Sequence, residues 1–173
     1  MTRDTSEVLQ VANTLVPIYG EFNAKIFRGD GTIEDKGWKR NIVTRYGLNR
    51  IARRAVDHNS TSAALYLSIG TVTAAQSLNA AITSYGEVGR KLSLVGSTAA
   101  TSREWFFMVA TWGGASDSLT GVALGTAVIT DHANSGQGSP WNIVEGLGVT
   151  LQQSDVLNLT GRIRVGSHDI DNG

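Results

Sequence analysis

Cysteine is missing altogether from this 173-residue chain. Disulfide frameworks and thiolate metal sites are therefore excluded. An excess of either charge is missing too: 15 basic residues balance 15 acidic ones, and the sequence pI is about 6.8. That balance disfavours a globally basic nucleic-acid binder and leaves room only for a local basic patch. No apolar run approaches the roughly 20 residues needed to cross a bilayer. The opening Met-Thr-Arg-Asp-Thr-Ser-Glu mixes acids into a polar stretch and does not read as a secretory leader. The expectation is a soluble protein made in a cytoplasm.

Proline is scarce as well, with 2 residues against 20 glycines. Glycine supplies the positive-φ turns that join many short strands, and Thr, Val, Ile and Ser are plentiful. Together they predict a mainly β fold, an antiparallel β-sandwich of jelly-roll type. A single domain over residues 21–165 is expected, preceded by an N-terminal arm (1–20) and followed by a tail (166–173). No internal repeat or linker divides it.

Alternation along the chain places the elements. Phe22, Ala24 and Ile26 alternate with polar residues up to a Gly29-Asp30-Gly31 turn, which predicts a hairpin whose return strand is short. Leu48, Ile51, Ala52, Ala55 and Val56 recur at helical spacing, so one short α-helix is expected near residues 45–57. From there on the signals are strands: Leu65–Ile69, Lys91–Val95, Arg103–Trp112, Leu119–Thr130, and a closing hairpin. In that hairpin Leu147, Val149 and Leu151 alternate, Gln152–Asp155 turns, and Leu157 to Val165 alternate again. The run Trp105-Phe106-Phe107-Met108-Val109 is apolar on both faces, as expected of a strand covered on both sides.

A search for catalytic chemistry finds no constellation. His58, His132 and His168 lie in polar loops and belong to no metalloprotease, nucleophile-elbow or phosphate-loop motif. The carboxylates Glu21, Glu34, Asp35, Glu87, Glu104 and Glu145 are scattered, without the pairing that glycoside hydrolysis needs. His168-Asp169-Ile170-Asp171 and Asp30 read as a solvated tail and a turn aspartate rather than as cation ligands. No catalytic, cofactor or metal residue is therefore assigned, and the protein is expected not to be an enzyme.

Two features invite contact with a partner. Lys36, Lys39, Arg40, Arg45, Arg50, Arg53 and Arg54 fall close together; a solvated helix face ranks first, an acidic protein neighbour second and DNA phosphates third. Trp38 and Trp141 sit in polar surroundings, where tryptophan suits an interface, whereas Trp105 and Trp112 read as core. The candidate interface residues are Trp38, Arg45, Arg50, Arg53, Arg54 and Trp141.

Three segments in order carry a resemblance. Arg40-Asn41-Ile42-Val43-Thr44-Arg45-Tyr46-Gly47-Leu48-Asn49, then Tyr66-Leu67-Ser68-Ile69-Gly70-Thr71, then Glu87-Val88-Gly89-Arg90 resemble successive motifs of a diffuse group of tailed-bacteriophage virion proteins. Asp155-Val156-Leu157-Asn158-Leu159 resembles that group's closing strand, so the likeness spans about residues 40–165. It departs from the group at Leu119-Thr120-Gly121-Val122, where a glutamate is usual. The resemblance implies a non-enzymatic tail, neck, fibre-attachment or capsid-decorating subunit. Such a subunit would form a ring or trimer with other virion proteins in a particle assembled in the host cytoplasm. Residues 1–20 and the loops 71–86 and 131–141 are then the expected intersubunit contacts. The alternative is a receptor- or carbohydrate-binding module using Trp141 and the 131–140 loop. A depolymerase or cell-wall hydrolase ranks third.

Overall fold

The structure, a computed structural model, describes residues 18–56, 65–72, 79, 81, 84–100 and 103–165. Among the described residues, ten strands and one helix follow one another. They are β1 (Ile18–Phe27), β2 (Ile33–Arg40), β3 (Ile42–Val43), α1 (Arg45–Val56), β4 (Tyr66–Gly70), β5 (Glu87–Leu92), β6 (Leu94–Ala100), β7 (Arg103–Gly113), β8 (Ala123–Thr130), β9 (Pro140–Thr150) and β10 (Val156–Val165). They form two five-stranded antiparallel sheets, ordered β2-β1-β10-β7-β6 and β3-β9-β8-β4-β5. Among the described residues the fold is mainly β with one short helix, as composition and apolar periodicity together predict.

Period-two alternation decides which side chains meet. Phe22, Ala24 and Ile26 of β1, Leu157 and Leu159 of β10, and Met108 and Trp112 of β7 point inward from the first sheet. Leu67, Ile69, Ala127, Ile129, Val144 and Val149 point inward from the second, and all of these join one buried cluster. Burying a large aliphatic or aromatic side chain contributes roughly 1.5–3 kcal/mol, so this shared core is what holds the two sheets together. Gly161 of β10 leaves room at its centre, since a Cβ there would press within 3.2 Å of Phe22 and 3.3 Å of Ile129.

The first and last strands are neighbours: β1 pairs with β10 from Ile18↔Val165 to Phe27↔Val156. At the far end of this pair, Asp155 is 2% exposed and ties the two turns together. It accepts from Arg28 at 2.5 Å, from the Gly29 N–H at 3.1 Å and from the Gln152 N–H at 2.8 Å.

The helix begins where the sequence asks for it. Thr44 caps it, its Oγ1 accepting from the Gly47 N–H while its carbonyl accepts from Leu48. The Thr44 hydroxyl in turn donates to the Pro140 carbonyl, which ties the cap to β9. Gly47 permits that approach, because a Cβ there would lie 2.5 Å from the Trp141 carbonyl oxygen.

Several boundaries differ from the sequence reading. β2 is not short: it runs on to Arg40 through Glu34–Lys36, with a register shift opposite β1 and Gly37 at φ +71°. Lys91–Val95 is not one strand but the junction of two, β5 ending in one sheet and β6 beginning in the other across Ser93. β8 starts at Ala123, after a turn in which Gly121 has φ +75°. β9 begins seven residues earlier than its alternation suggests, because Pro140–Val144 is buried on both faces and loses the period-two signal. The outer side of β7 carries Phe107 and Val109, half-buried rather than covered as the apolar run suggests.

Candidate interaction surface

The outward face of the second sheet carries an organised polar layer. Its centre is Glu87 and Arg90 of β5, whose side chains are only 6% and 3% exposed. Residues three apart in a regular strand point to opposite faces. Here the register slips between Ile69↔Gly89 and Gly70↔Glu87, leaving Val88 as an extra residue, so the two side chains share a face. Arg90 Nε donates to Glu87 Oε1 at 2.6 Å and Nη2 to Oε2 at 2.9 Å. Its Nη1 reaches the carbonyls of His132 and Asn134 at 2.6 Å each and of Gln137 at 3.0 Å. Glu87 also accepts from Ser68 Oγ at 2.6 Å and from the Gly136 N–H at 2.7 Å. Tyr85, itself buried, donates to Ser68 at 2.9 Å. The pair therefore clamps the 131–140 loop onto β4 and β5. Burial pushes the Glu87 carboxyl up, but the donors from Arg90, Ser68 and Gly136 outweigh it and hold the group below its ordinary value.

A second clamp holds the first residue of the loop. Asp131 accepts from Tyr46 Oη at 2.8 Å and from Arg50 at 2.9 Å, both on α1. Burial raises its carboxyl and the Arg50, Tyr46 and Trp141 donors lower it, the net shift being downward. The Asp131–Arg50 ion pair thus fixes the first residue of the loop, while Glu87 and Arg90 hold its backbone from His132 to Gln137.

Of the six candidate interface residues, the four with described side chains (Trp38, Arg45, Arg50 and Trp141) do not converge on one patch. Arg50 is engaged by Asp131 and also lies 5.7 Å from the Tyr46 ring centroid. Arg45, the first helical residue, is exposed. Arg53 and Arg54 fall on the helix, and their side chains lie outside the described residues. Trp38 lies on the outer face of the other sheet, 41% exposed, with the Arg162 guanidinium 3.8 Å over its ring and Arg162 bonded to Glu21. Trp141 is different from its expectation: at 4% exposed it belongs to the core, so its ring is closed to a sugar or a partner. It occupies a register shift in β9, between Ile129↔Asn142 and Thr130↔Pro140, which turns it inward from polar neighbours. The 71–86 loop falls partly, and the 1–17 segment wholly, outside the described residues.

The two open flanks of the structure contrast. On one, β2 carries Glu34, Asp35, Lys36, Lys39 and Arg40 and is bent by its register shift. Charge and irregularity of that kind protect an edge from pairing. On the other flank lie β5 and β6, the outermost strands of the two sheets. There Leu94 is 79% exposed and Leu92 61%, with Val88 also exposed. Leu94 pairs with Val109 and Gly96 with Phe107, so the edge continues into half-buried apolar residues on the outer side of β7.

Near the Arg28–Asp155 tie, Arg28, Asp30, Thr32 and Gln152 line an open cavity of about 390 Å³. Arg28 and Asp155 are both spent there on structural bonds, and Arg28 also contacts Glu34. Among the described residues no group of three or more His, Asp and Glu is placed to hold a metal, and no helix is long and apolar enough to cross a membrane. No protein-family model, curated protein or solved structure matches the chain.

Proposed function

We propose that this chain is a non-enzymatic structural subunit that assembles by protein–protein contact, of the kind its sequence motifs suggest for a tailed-phage particle. The observation that carries the reading is the flank formed by β5 and β6, where Leu92 and Leu94 stand exposed and, among the described residues, no further strand pairs with either edge. An exposed apolar edge is a liability in a monomer and an asset in a subunit. Several motif residues hold the fold: Thr44 caps α1, Gly47 lets it approach β9, Glu87 and Arg90 clamp the loop, and Asp155 ties the turns. We also read the two sheets as a jelly-roll-like sandwich, on the ground that β1 and β10 are neighbours and the chain crosses between sheets repeatedly. The partners would be further copies of this chain and other virion proteins.

Light scattering across a range of concentrations tests the reading. A discrete oligomer is expected, and Leu92→Lys with Leu94→Lys should reduce it to a folded monomer. A wild-type chain that stays monomeric throughout would overturn it.

A further inference from the structure

Resting on the assembly reading, we propose that a second copy of this chain pairs with the outer edge of β6, antiparallel and two-fold symmetric about Ser97. The two first sheets then join into one ten-stranded sheet. Four observations lead there. Among the described residues β6 ends its sheet, so one row of its backbone N–H and C=O groups has no described strand beside it. Its sequence, Leu94-Val95-Gly96-Ser97-Thr98-Ala99-Ala100, contains no charge and no proline, the two devices that close an edge. The opposite edge of the same sheet, β2, has five charged residues and a register shift, which disfavours head-to-tail joining of β6 to β2 and favours a two-fold contact of β6 with itself. The strand is also complementary to itself.

About a two-fold axis at Ser97, Leu94 falls opposite Ala100 of the second copy, Val95 opposite Ala99 and Gly96 opposite Thr98. By residue type alone, each larger member of a pair meets a smaller one in this register. Seven paired residues extend the shared edge to about 24 Å. The exposed Leu94, with Phe107 and Val109 beside the strand, brings apolar surface to the same junction and removes it from water.

The absence of cysteine makes the test clean. Ser97→Cys introduces the only thiol, and across this axis its Cα would sit about 4.5–5.5 Å from its symmetry mate, within disulfide reach. Ala100→Cys is the control, because its mate would lie six residues along the edge, about 20 Å away. Under mild oxidation Ser97→Cys should form a disulfide-linked dimer at least about ten-fold faster than Ala100→Cys. Equal rates would overturn the two-fold pairing. So would an unreacted Ser97→Cys in a protein that light scattering shows to be oligomeric; the assembly reading would then stand and the interface would lie elsewhere. A wild-type monomer at every concentration, with no cross-link, would remove both.

Discussion

Arg90→Met is the substitution to which this fold should respond most sharply among its charged residues. The guanidinium is 3% exposed and donates five hydrogen bonds: two to Glu87, and one each to the carbonyls of His132, Asn134 and Gln137. Methionine keeps an apolar stem in place but leaves a buried carboxylate without its counter-charge. Breaking a buried pair in this way costs on the order of 3–5 kcal/mol. Glu87→Gln is the informative comparison. It removes the charge, keeps an acceptor, and leaves Arg90 its three carbonyls, so a loss of about 1–2 kcal/mol is expected. Combining the two removes the stranded charge and should cost less than the sum of the singles. Equilibrium urea unfolding measures all three variants, and exchange of the Gly136 N–H, which donates to Glu87, reports the loop locally. A loss under about 1 kcal/mol for Arg90→Met would place the pair with ordinary surface ion pairs and refute the clamp.

Gly47→Ala should destabilise by about 1–3 kcal/mol in thermal melts, although helix propensity alone favours alanine, because its Cβ would meet the Trp141 carbonyl. Trp141→Ala should cost on the order of 3–5 kcal/mol, whereas Trp38→Ala, on a partly exposed ring, should cost clearly less; equal losses would contradict the inward placement of Trp141. Glu87, Asp117, Asp131 and Asp155 all have carboxyls held below their ordinary values of 4.5 and 3.8. Folded groups with depressed values lend stability above the unfolded value and lose it as pH falls. Urea midpoints should therefore be flat from neutrality to about pH 5 and decline below about pH 4.

The β class, the helix and the final hairpin are legible because each writes a periodic pattern into the sequence. Leu157, Leu159 and Ile163 alternate and are buried accordingly. What escapes is whatever depends on a slip of register. Glu87 and Arg90 stand three apart, a spacing that means opposite faces until a bulge intervenes, so they read as scattered charges. Trp141, between Pro140 and Asn142, shows no apolar pattern, yet its register shift carries it into the core. Asp131 and Asp155 read as loop and turn residues because their partners, Arg50 and Arg28, are remote in sequence. The apolar edge was hidden for another reason: Leu92 and Leu94 look like alternate residues of one strand, while the chain in fact changes sheets between them.

The pairing of Ile18 with Val165 has a practical consequence. Antiparallel partners lie about 5 Å apart, so the chain enters and leaves the described domain through a single doorway. Anything tethered at either side of that doorway is presented from the same corner. A few linking residues would also suffice to join the two strands and reopen the chain at the exposed Gly29-Asp30-Gly31 turn, giving a circular permutant in which the shared core is untouched.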